Sequence, residues 1–352
     1  MVDGEQAFRV IYNLDQIHPW THFSADAERD QVAFFERGFG APDPIDPTSQ
    51  VWQVRTAFTA LGLIGFTIFL VTFSRWLLAQ PLFAPVARVG RPARTALDDE
   101  RIWFWCGLAL LAVVSGVSYI ALFPVAAALQ PEWLPQAPPF FIGLWAAVNG
   151  VVTLLWVGGV YYASGRRNGM DLTAHGVRAP IETLAASGLL ALVVVPAAFA
   201  LVFAADYFFK TDFRVWVVAI KAFTPDKIAI AVLYLPLFLV YFVANSLALN
   251  SFSRYLTFGR ESYNTALLAG ANAFAPLVLV IAQYSTFFST GHTLRWFPGI
   301  TSIWLFPIIV FLPVAGIISR KLYRATGNPY VGAFVNAAVV TMISVSNTLT
   351  MG

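Results

Sequence analysis

At 352 residues, the chain is 58% hydrophobic and only 12% charged, which leaves too few charged side chains to cover a soluble globule of this size. Lipid must solvate most of it, and the predicted class is an all-α, polytopic membrane protein. A net charge of +3 gives no reason to expect a nucleic-acid partner. The single cysteine, Cys106, excludes an intrachain disulfide framework and a cysteine-based metal site, and we interpret it as a packing residue in the core or against lipid.

The first 41 residues predict a short α/β segment outside the membrane. Residues 8–14 have the composition of a strand, and the loop that follows contains His18 and His22. From residue 26 to residue 39, apolar side chains recur on one face of a helix whose other positions are polar. A strand and a helix of this size cannot build a core alone, so we expect residues 1–40 to be ordered only when docked on another domain or chain.

Residues 42–55 form a proline-rich linker into a predicted eight-helix membrane domain, residues 56–352. Crossing about 30 Å of hydrocarbon takes roughly 20 residues of helix. Eight apolar runs reach that length: residues 56–79, 102–128, 139–163, 183–208, 227–248, 264–288, 299–319 and 329–350. Proline, glycine and charged residues separate these runs, which is typical of loops.

The positive charges predict an orientation. The loops after the first, third, fifth and seventh spans carry thirteen Lys and Arg residues, against five after the second, fourth and sixth. Because cytoplasmic loops are enriched in these residues, both termini are expected outside the cytoplasm, in a bacterial cytoplasmic (inner) membrane. Four of the five Lys and Arg residues that disagree with this orientation follow the fourth span: Lys210, Arg214, Lys221 and Lys227. A missed or re-entrant helix in this loop would invert the orientation of every later span.

The loop after the fourth span is predicted to contain an interfacial helix near residues 210–223. Its apolar residues recur at helical spacing among the cations: Phe213, Trp216, Val217, Ile220 and Phe223. The simpler interpretation is an amphipathic connector, and the alternative is a gate or a substrate-contacting element. The sequence Thr224-Pro225-Asp226 then predicts the start of the fifth spanning helix.

Six amide side chains fall within predicted spans: Asn149, Asn245, Asn272, Gln283, Asn336 and Asn347. An unpaired amide in hydrocarbon is costly, so the first expectation is a hydrogen bond to a neighbouring helix. Their distribution over several helices leaves open a polar cavity or conduction path. No Asp, Glu, Lys or Arg lies in the middle of a predicted span, which weighs against a proton- or ion-coupled carrier.

Four short motifs prompt a family resemblance: the loop His18 to Ser24, the linker Phe39-Gly40-Ala41-Pro42 with Pro44-Ile45, Gly62-Leu63-Ile64-Gly65-Phe66, and Thr326-Gly327-Asn328-Pro329-Tyr330. The strand, histidine loop and closing helix look like the last element of an α/β-hydrolase domain. Over nearly its whole length, the chain resembles the C-terminal end of large bacterial α/β-hydrolase-like membrane proteins, in which a hydrolase domain precedes a multi-helix membrane domain. The resemblance implies that His22, or else His18, is the histidine of a catalytic triad.

The sequence departs from that family because it lacks a Gly-x-Ser-x-Gly motif and the preceding strands, so neither the nucleophile nor the oxyanion hole is present. We therefore expect no hydrolysis by this chain alone. His22 or His18 would act only if another polypeptide, or sequence upstream of Met1, completes the triad. The alternative is that both are loop residues that hydrogen-bond locally. No spacing of His, Asp and Glu predicts a metal site, and no cofactor is expected.

Three functions remain open. The first is a membrane-embedded domain or subunit that anchors, or cooperates with, an extracytoplasmic α/β-hydrolase-like domain. The second is a small transporter or lipid-handling membrane protein, and the third is a structural subunit of a larger membrane complex. The expected partners are the lipid bilayer together with a hydrolase domain or other membrane subunits. A continuous, water-filled cavity that reaches the middle of the membrane would favour the second function.

Overall fold

A computed structural model describes residues 9–40, 46–87, 92–297 and 302–350. The chain divides into two compact units, Met1–Leu61 and Gly62–Gly352. Within the described residues, eight helices are long and apolar enough to cross a membrane. The chain is therefore a multi-pass, largely α-helical membrane protein, which confirms the predicted class and the predicted number of spans.

The first unit contains two short helices, α1 (His18–Thr21) and α2 (Ala25–Phe39), and the first residues of α3. Ser24 caps the start of α2, and its hydroxyl accepts a hydrogen bond from the Ala27 amide at 3.2 Å. Helix α2 confirms the predicted amphipathic helix. The predicted strand is not present in residues 9–14, where the backbone is irregular, because a lone strand has no partner for its hydrogen bonds. Residues 1–8 and 41–45, including the start of that strand and part of the linker, lie outside the described residues.

The spanning helices are α3 (Trp52–Leu78), α4 (Asp98–Leu129), α5 (Ala137–Val160), α6 (Ile181–Phe209), α7 (Asp226–Leu247), α8 (Glu261–Thr290), α9 (Ser302–Thr326) and α10 (Pro329–Ser346). Short π-helical turns extend α5 over Tyr161–Gly165 and α7 over Ala248–Phe252. Helix α9 continues well past the predicted end at residue 319. The residues that were expected to form a loop include Arg320 and Tyr323, whose side chains are buried in the protein.

Helix α10 lies at the centre of the second unit, packed against α6, α7 and α9, while α5 packs between α4 and α7 and α8 packs on α9. Two glycines allow close helix approach. A Cβ atom at Gly332 would lie 2.6 Å from Ser319 Cα, and one at Gly150 would lie 2.8 Å from Tyr241 Cα. Small residues at such contacts let membrane helices pack closely, since lipid supplies no hydrophobic force between them.

The turn between α9 and α10 explains one of the motifs noted in the sequence. Gly327 adopts φ 65° and Asn328 caps α10, its side chain accepting a hydrogen bond from the Tyr330 amide at 2.9 Å. Pro329 occupies the first helical position, which suits a residue without an amide proton. Asn328 Nδ2 also donates to Ser187 Oγ at 2.9 Å, which fastens the turn to α6. The motif therefore has a structural role in this fold.

The predicted interfacial helix at residues 210–223 is wrong. This segment forms a hairpin of two antiparallel strands, β1 (Phe213–Val215) and β2 (Val218–Ile220), with Val215 opposite Val218. Valine and isoleucine favour extended backbone, and apolar spacing over so short a segment fits either structure. No helix therefore lies between α6 and α7, and α7 begins at Asp226, directly after Pro225, as predicted.

Candidate functional site: an intramembrane cavity

A cavity of about 110 Å³ lies between α4, α5, α7 and α8. Along α4 it extends from Glu100 to Ser115, roughly 22 Å at 1.5 Å of rise per residue. On α5 it reaches Asn149, near the middle of the helix. The cavity is therefore long and narrow, and it connects one end of the helices with the interior of the membrane span.

Most of the lining is apolar, and aromatic rings form one wall. Trp103 of α4 and Trp156 of α5 meet edge to face with their ring centroids 5.8 Å apart. A Cβ atom at Gly107 would lie 2.5 Å from Trp156 Nε1, so the indole lies against α4 only because residue 107 is glycine. The remaining apolar lining of α4 consists of Phe104, Leu108, Leu111 and Ala112.

Three of the predicted intramembrane amides line the cavity. Asn149, buried, donates through Nδ2 to Ser118 Oγ of α4 at 3.0 Å and to the Trp145 carbonyl at 2.8 Å. Asn245 of α7 donates through Nδ2 to Asn272 Oδ1 of α8 at 3.0 Å, and both of these side chains are half-buried. The amides thus join α4 to α5 and α7 to α8, and they also place polar groups in an apolar cavity.

The other three amides have partners away from this cavity. Asn336 Nδ2 donates to the Ala315 carbonyl at 2.8 Å, which joins α10 to α9. Asn347 Nδ2 donates to the Ala219 carbonyl in β2 at 2.9 Å, and Gln283 accepts a hydrogen bond from the Leu294 amide at 3.1 Å. Interhelical bonding, the first expectation, is confirmed for Asn149, Asn245, Asn272 and Asn336.

An ion pair lies where the cavity meets the helix ends. Arg94 Nη1 donates to Glu100 Oε2 at 2.7 Å and Nη2 donates to Oε1 at 2.5 Å. The Arg94 guanidinium lies 5.7 Å from the ring centre of Tyr255, which also lines the cavity. The hydrogen bond that Arg94 donates to Glu100 raises the pKa of Arg94, and burial raises the pKa of Tyr255. At neutral pH this end therefore holds a cation paired with an anion, beside an uncharged phenol.

Glu100 was not among the residues that the sequence pattern predicted to form a site. Its only local signal is the acidic run of residues 98–100 before an apolar segment, which predicts the start of a helix. The Leu97 amide does donate to Glu100 Oε2 at 2.8 Å, in agreement with that signal. Nothing in the spacing indicates that Arg94 is its partner or that a cavity lies beside it, because both depend on how α4 packs on its neighbours.

A second polar cluster adjoins the cavity around Arg320. This residue was counted among loop cations, but it lies within α9 and is only 1% exposed. Its Nη1 donates to the carbonyl of Leu249, a cavity-lining residue, at 2.8 Å, and its Nη2 donates to Asn264 Oδ1 at 2.9 Å and Glu261 Oε1 at 3.2 Å. Leu249 belongs to the π-helical turn at the end of α7, and such turns expose carbonyl groups to other partners.

The two predicted site histidines lie in the other unit. His18 begins α1 and His22 follows its last residue, both are exposed, and their ring centroids are 5.5 Å apart. Thr21 Oγ1 donates to the His18 carbonyl at 2.7 Å and closes this turn. A triad role for His22 or His18 stays a prediction. Across the described parts of the chain, no group of three or more His, Cys, Asp or Glu side chains is placed to hold a metal ion.

The fold and the cavity together define a multi-pass α-helical membrane protein with an elongated, mostly apolar site between four of its helices. Comparison with protein-family models, with curated proteins and with solved structures finds no match. The resemblance to α/β-hydrolase-like membrane proteins accordingly stays a prediction.

Proposed function

We propose that this protein is a lipid-handling membrane protein that binds the polar end of an amphipathic ligand in the cavity between α4, α5, α7 and α8. The observation that supports this most is the long cavity, which joins apolar walls to amide groups within the membrane span. A path for small polar solutes would need a predominantly polar lining. An apolar lining with few polar groups is instead typical of sites for lipid-like molecules.

The exposure of α4 offers such a ligand a route from the bilayer. Only 6% of its most apolar stretch is buried inside the protein, although the same helix forms one wall of the cavity. In this proposal a lipid reaches the cavity along α4, directly from the bilayer and without crossing water. Access through the membrane is what separates a lipid-handling protein from a transporter of soluble substrates.

Blocking the cavity tests this function. Ala112→Phe places a ring in the lining, whereas Ala109→Phe adds the same ring to an exposed position on α4. Native mass spectrometry of protein extracted from membranes would count bound lipid. We expect a several-fold loss of bound lipid for Ala112→Phe and wild-type occupancy for Ala109→Phe. Equal occupancy in both variants would contradict the proposal.

A second function, cooperation with an extracytoplasmic α/β-hydrolase-like domain, is favoured by a separate observation. Neither α1 nor α2 contains a buried residue, and the stacked rings of Phe35 and Phe39 are 56% and 82% exposed. Such a stripe is expected to pack on another domain or chain. In this proposal His22, or His18, completes a triad whose nucleophile belongs to that partner.

A fluorophosphonate probe on native membranes tests this second function, because it labels only an activated serine. We expect His22→Ala or His18→Ala to reduce labelling of a co-purifying hydrolase at least about tenfold. His175→Ala, which removes a histidine from the loop between α5 and α6, is the control and should leave labelling unchanged. Unchanged labelling in all three variants would rule out the triad role.

The orientation belongs to the same proposal, with both termini outside the cytoplasm of a bacterial cell. Its support is the excess of Lys and Arg on alternate loops, of which Arg88 and Arg91 lie outside the described residues. In a Cys106→Ala background, a membrane-impermeant maleimide should label His292→Cys in intact cells. Thr173→Cys should react only after lysis. The reverse pattern would overturn the orientation and the link to an extracytoplasmic partner.

A further inference from the structure

We infer that the ligand of this cavity is an uncharged lipid with a hydroxyl or carbonyl group, and that charged lipids are rejected. This inference rests on the proposed lipid-handling function and specifies the class of ligand. It depends on two features of the lining, which are the absence of unpaired charge and the amide pair of Asn245 and Asn272.

The first feature is the charge of the lining. Among the described residues that line the cavity, Glu100 alone carries a charge at neutral pH. Both of its carboxylate oxygens accept hydrogen bonds from Arg94, and one also accepts from the Leu97 amide. The pair is neutral overall and its hydrogen-bonding groups face each other. A charged head group in the cavity would therefore lack a counter-ion, and an unpaired charge within a membrane span is costly.

The second feature is the amide pair. The hydrogen bond from Asn245 Nδ2 to Asn272 Oδ1 uses one donor and one acceptor of the two side chains. It leaves the complementary groups, Asn245 Oδ1 as an acceptor and Asn272 Nδ2 as a donor, on two half-buried residues of the lining. A hydroxyl group of a ligand can donate to this acceptor or accept from this donor, and a carbonyl oxygen can accept from the donor.

The depth of the pair fixes where the polar group of the ligand lies. Asn245 is seven residues before Phe252, the last residue of the π-helical turn that ends α7, which corresponds to roughly 10 Å of helix. The polar group would then sit below the helix ends, among apolar side chains. An oxygen that moves from bulk water to that depth loses hydrogen bonds to water, and the amides can replace them.

Three probes that share one hydrocarbon tail but differ in head-group charge show whether binding depends on the charge of the ligand or on its shape. These are oleyl alcohol, oleyl sulfate and oleyl trimethylammonium, measured on the full chain in nanodiscs by displacement of radiolabelled oleyl alcohol. We expect oleyl alcohol to bind at least about tenfold more tightly than either ion. Equal affinities, all abolished by Ala112→Phe, would overturn this inference and leave the proposed function intact. Affinities that Ala112→Phe does not change would overturn the proposed function itself.

Two variants test the amide pair. The double variant Asn245→Leu with Asn272→Leu removes both amides together, so that neither is left unpaired. We expect it to weaken oleyl alcohol binding about tenfold, as for the loss of one hydrogen bond. Asn336→Leu removes a buried amide that bonds to Ala315 outside the cavity and should leave binding unchanged. Wild-type affinity in the double variant would overturn the role of the pair, and the probe series on the unmodified protein decides the charge selectivity even if that variant does not fold.

Discussion

Helices α4 and α10 show that the more hydrophobic of two spans can be the less buried in the protein. The most apolar stretch of α4 has a higher mean hydropathy than that of α10, yet only 6% of it is buried inside the protein, against 67% for α10. Buried positions of α10 include Gly332, Asn336 and Thr341. In a membrane, apolar surface can face lipid, and the contacts between helices are enriched in small and polar residues that pack closely and hydrogen-bond. Hydropathy therefore identifies the spans but does not identify the core.

The largest loss of stability is expected from replacing Arg320, a buried residue of α9, which packs against α10. Replacing it with alanine removes the donors to Leu249 and Asn264 and leaves Glu261 with one fewer partner. We expect a loss of about 3–5 kcal/mol in the free energy of unfolding, measured by SDS titration in mixed micelles. Arg324→Ala is the matched control, since Arg324 binds the same Glu261 from an exposed position and should cost less than about 1 kcal/mol.

A smaller loss of stability is expected when Gly332, where α10 contacts α9, is replaced by a larger residue. Gly332→Val would force a side chain into Ser319, whose backbone cannot retreat while α9 keeps its contacts. The expected cost is about 2–3 kcal/mol in the same titration. Gly65→Val in α3 adds the same atoms where no other atom lies within 4 Å of the new Cβ, and it should be near neutral. Similar losses for both would show that α10 is not the close-packed helix described here.

Truncating one valine on each helix compares α4 and α10 directly. Val335 of α10 is fully buried, whereas Val113 of α4 is 63% exposed. Val335→Ala leaves a cavity and should cost about 1–2 kcal/mol. Val113→Ala exchanges one lipid-facing apolar side chain for a smaller one and should change stability by less than about 0.5 kcal/mol. A greater loss at Val113 would mean that α4 is covered by a partner.

The smallest free energy of local unfolding is expected for α2. Because this helix has no buried residue, its amides from Val32 to Phe39 should exchange with deuterium early in the purified chain, while those of α10 stay protected. Hydrogen exchange followed by mass spectrometry measures both segments in one sample. Strong protection of residues 32–39 in a lone monomer would contradict the prediction that this segment is ordered by docking.

The hairpin at residues 213–220 is a segment whose secondary structure the apolar pattern did not predict correctly. Its apolar residues fit a helical period as well as a pair of short strands, and the choice depends on packing against the rest of the second unit. Ala219 and Ile220 are buried, and the Ala219 carbonyl accepts the hydrogen bond of Asn347. These contacts come from residues more than a hundred positions away, so a local pattern cannot predict them.

The sequence by itself determined the class of protein, the eight spans and the amphipathic helix α2, because each depends on the hydrophobicity and length of a continuous segment. It also located the amides that join the helices. Only the tertiary structure decided that Asn149, Asn245 and Asn272 meet at one cavity, that Arg94 pairs with Glu100 beside it, and that Arg320 is buried. Those facts depend on which helix faces pack together, and in lipid that choice is made by shape and hydrogen bonding between distant residues and not by hydrophobicity.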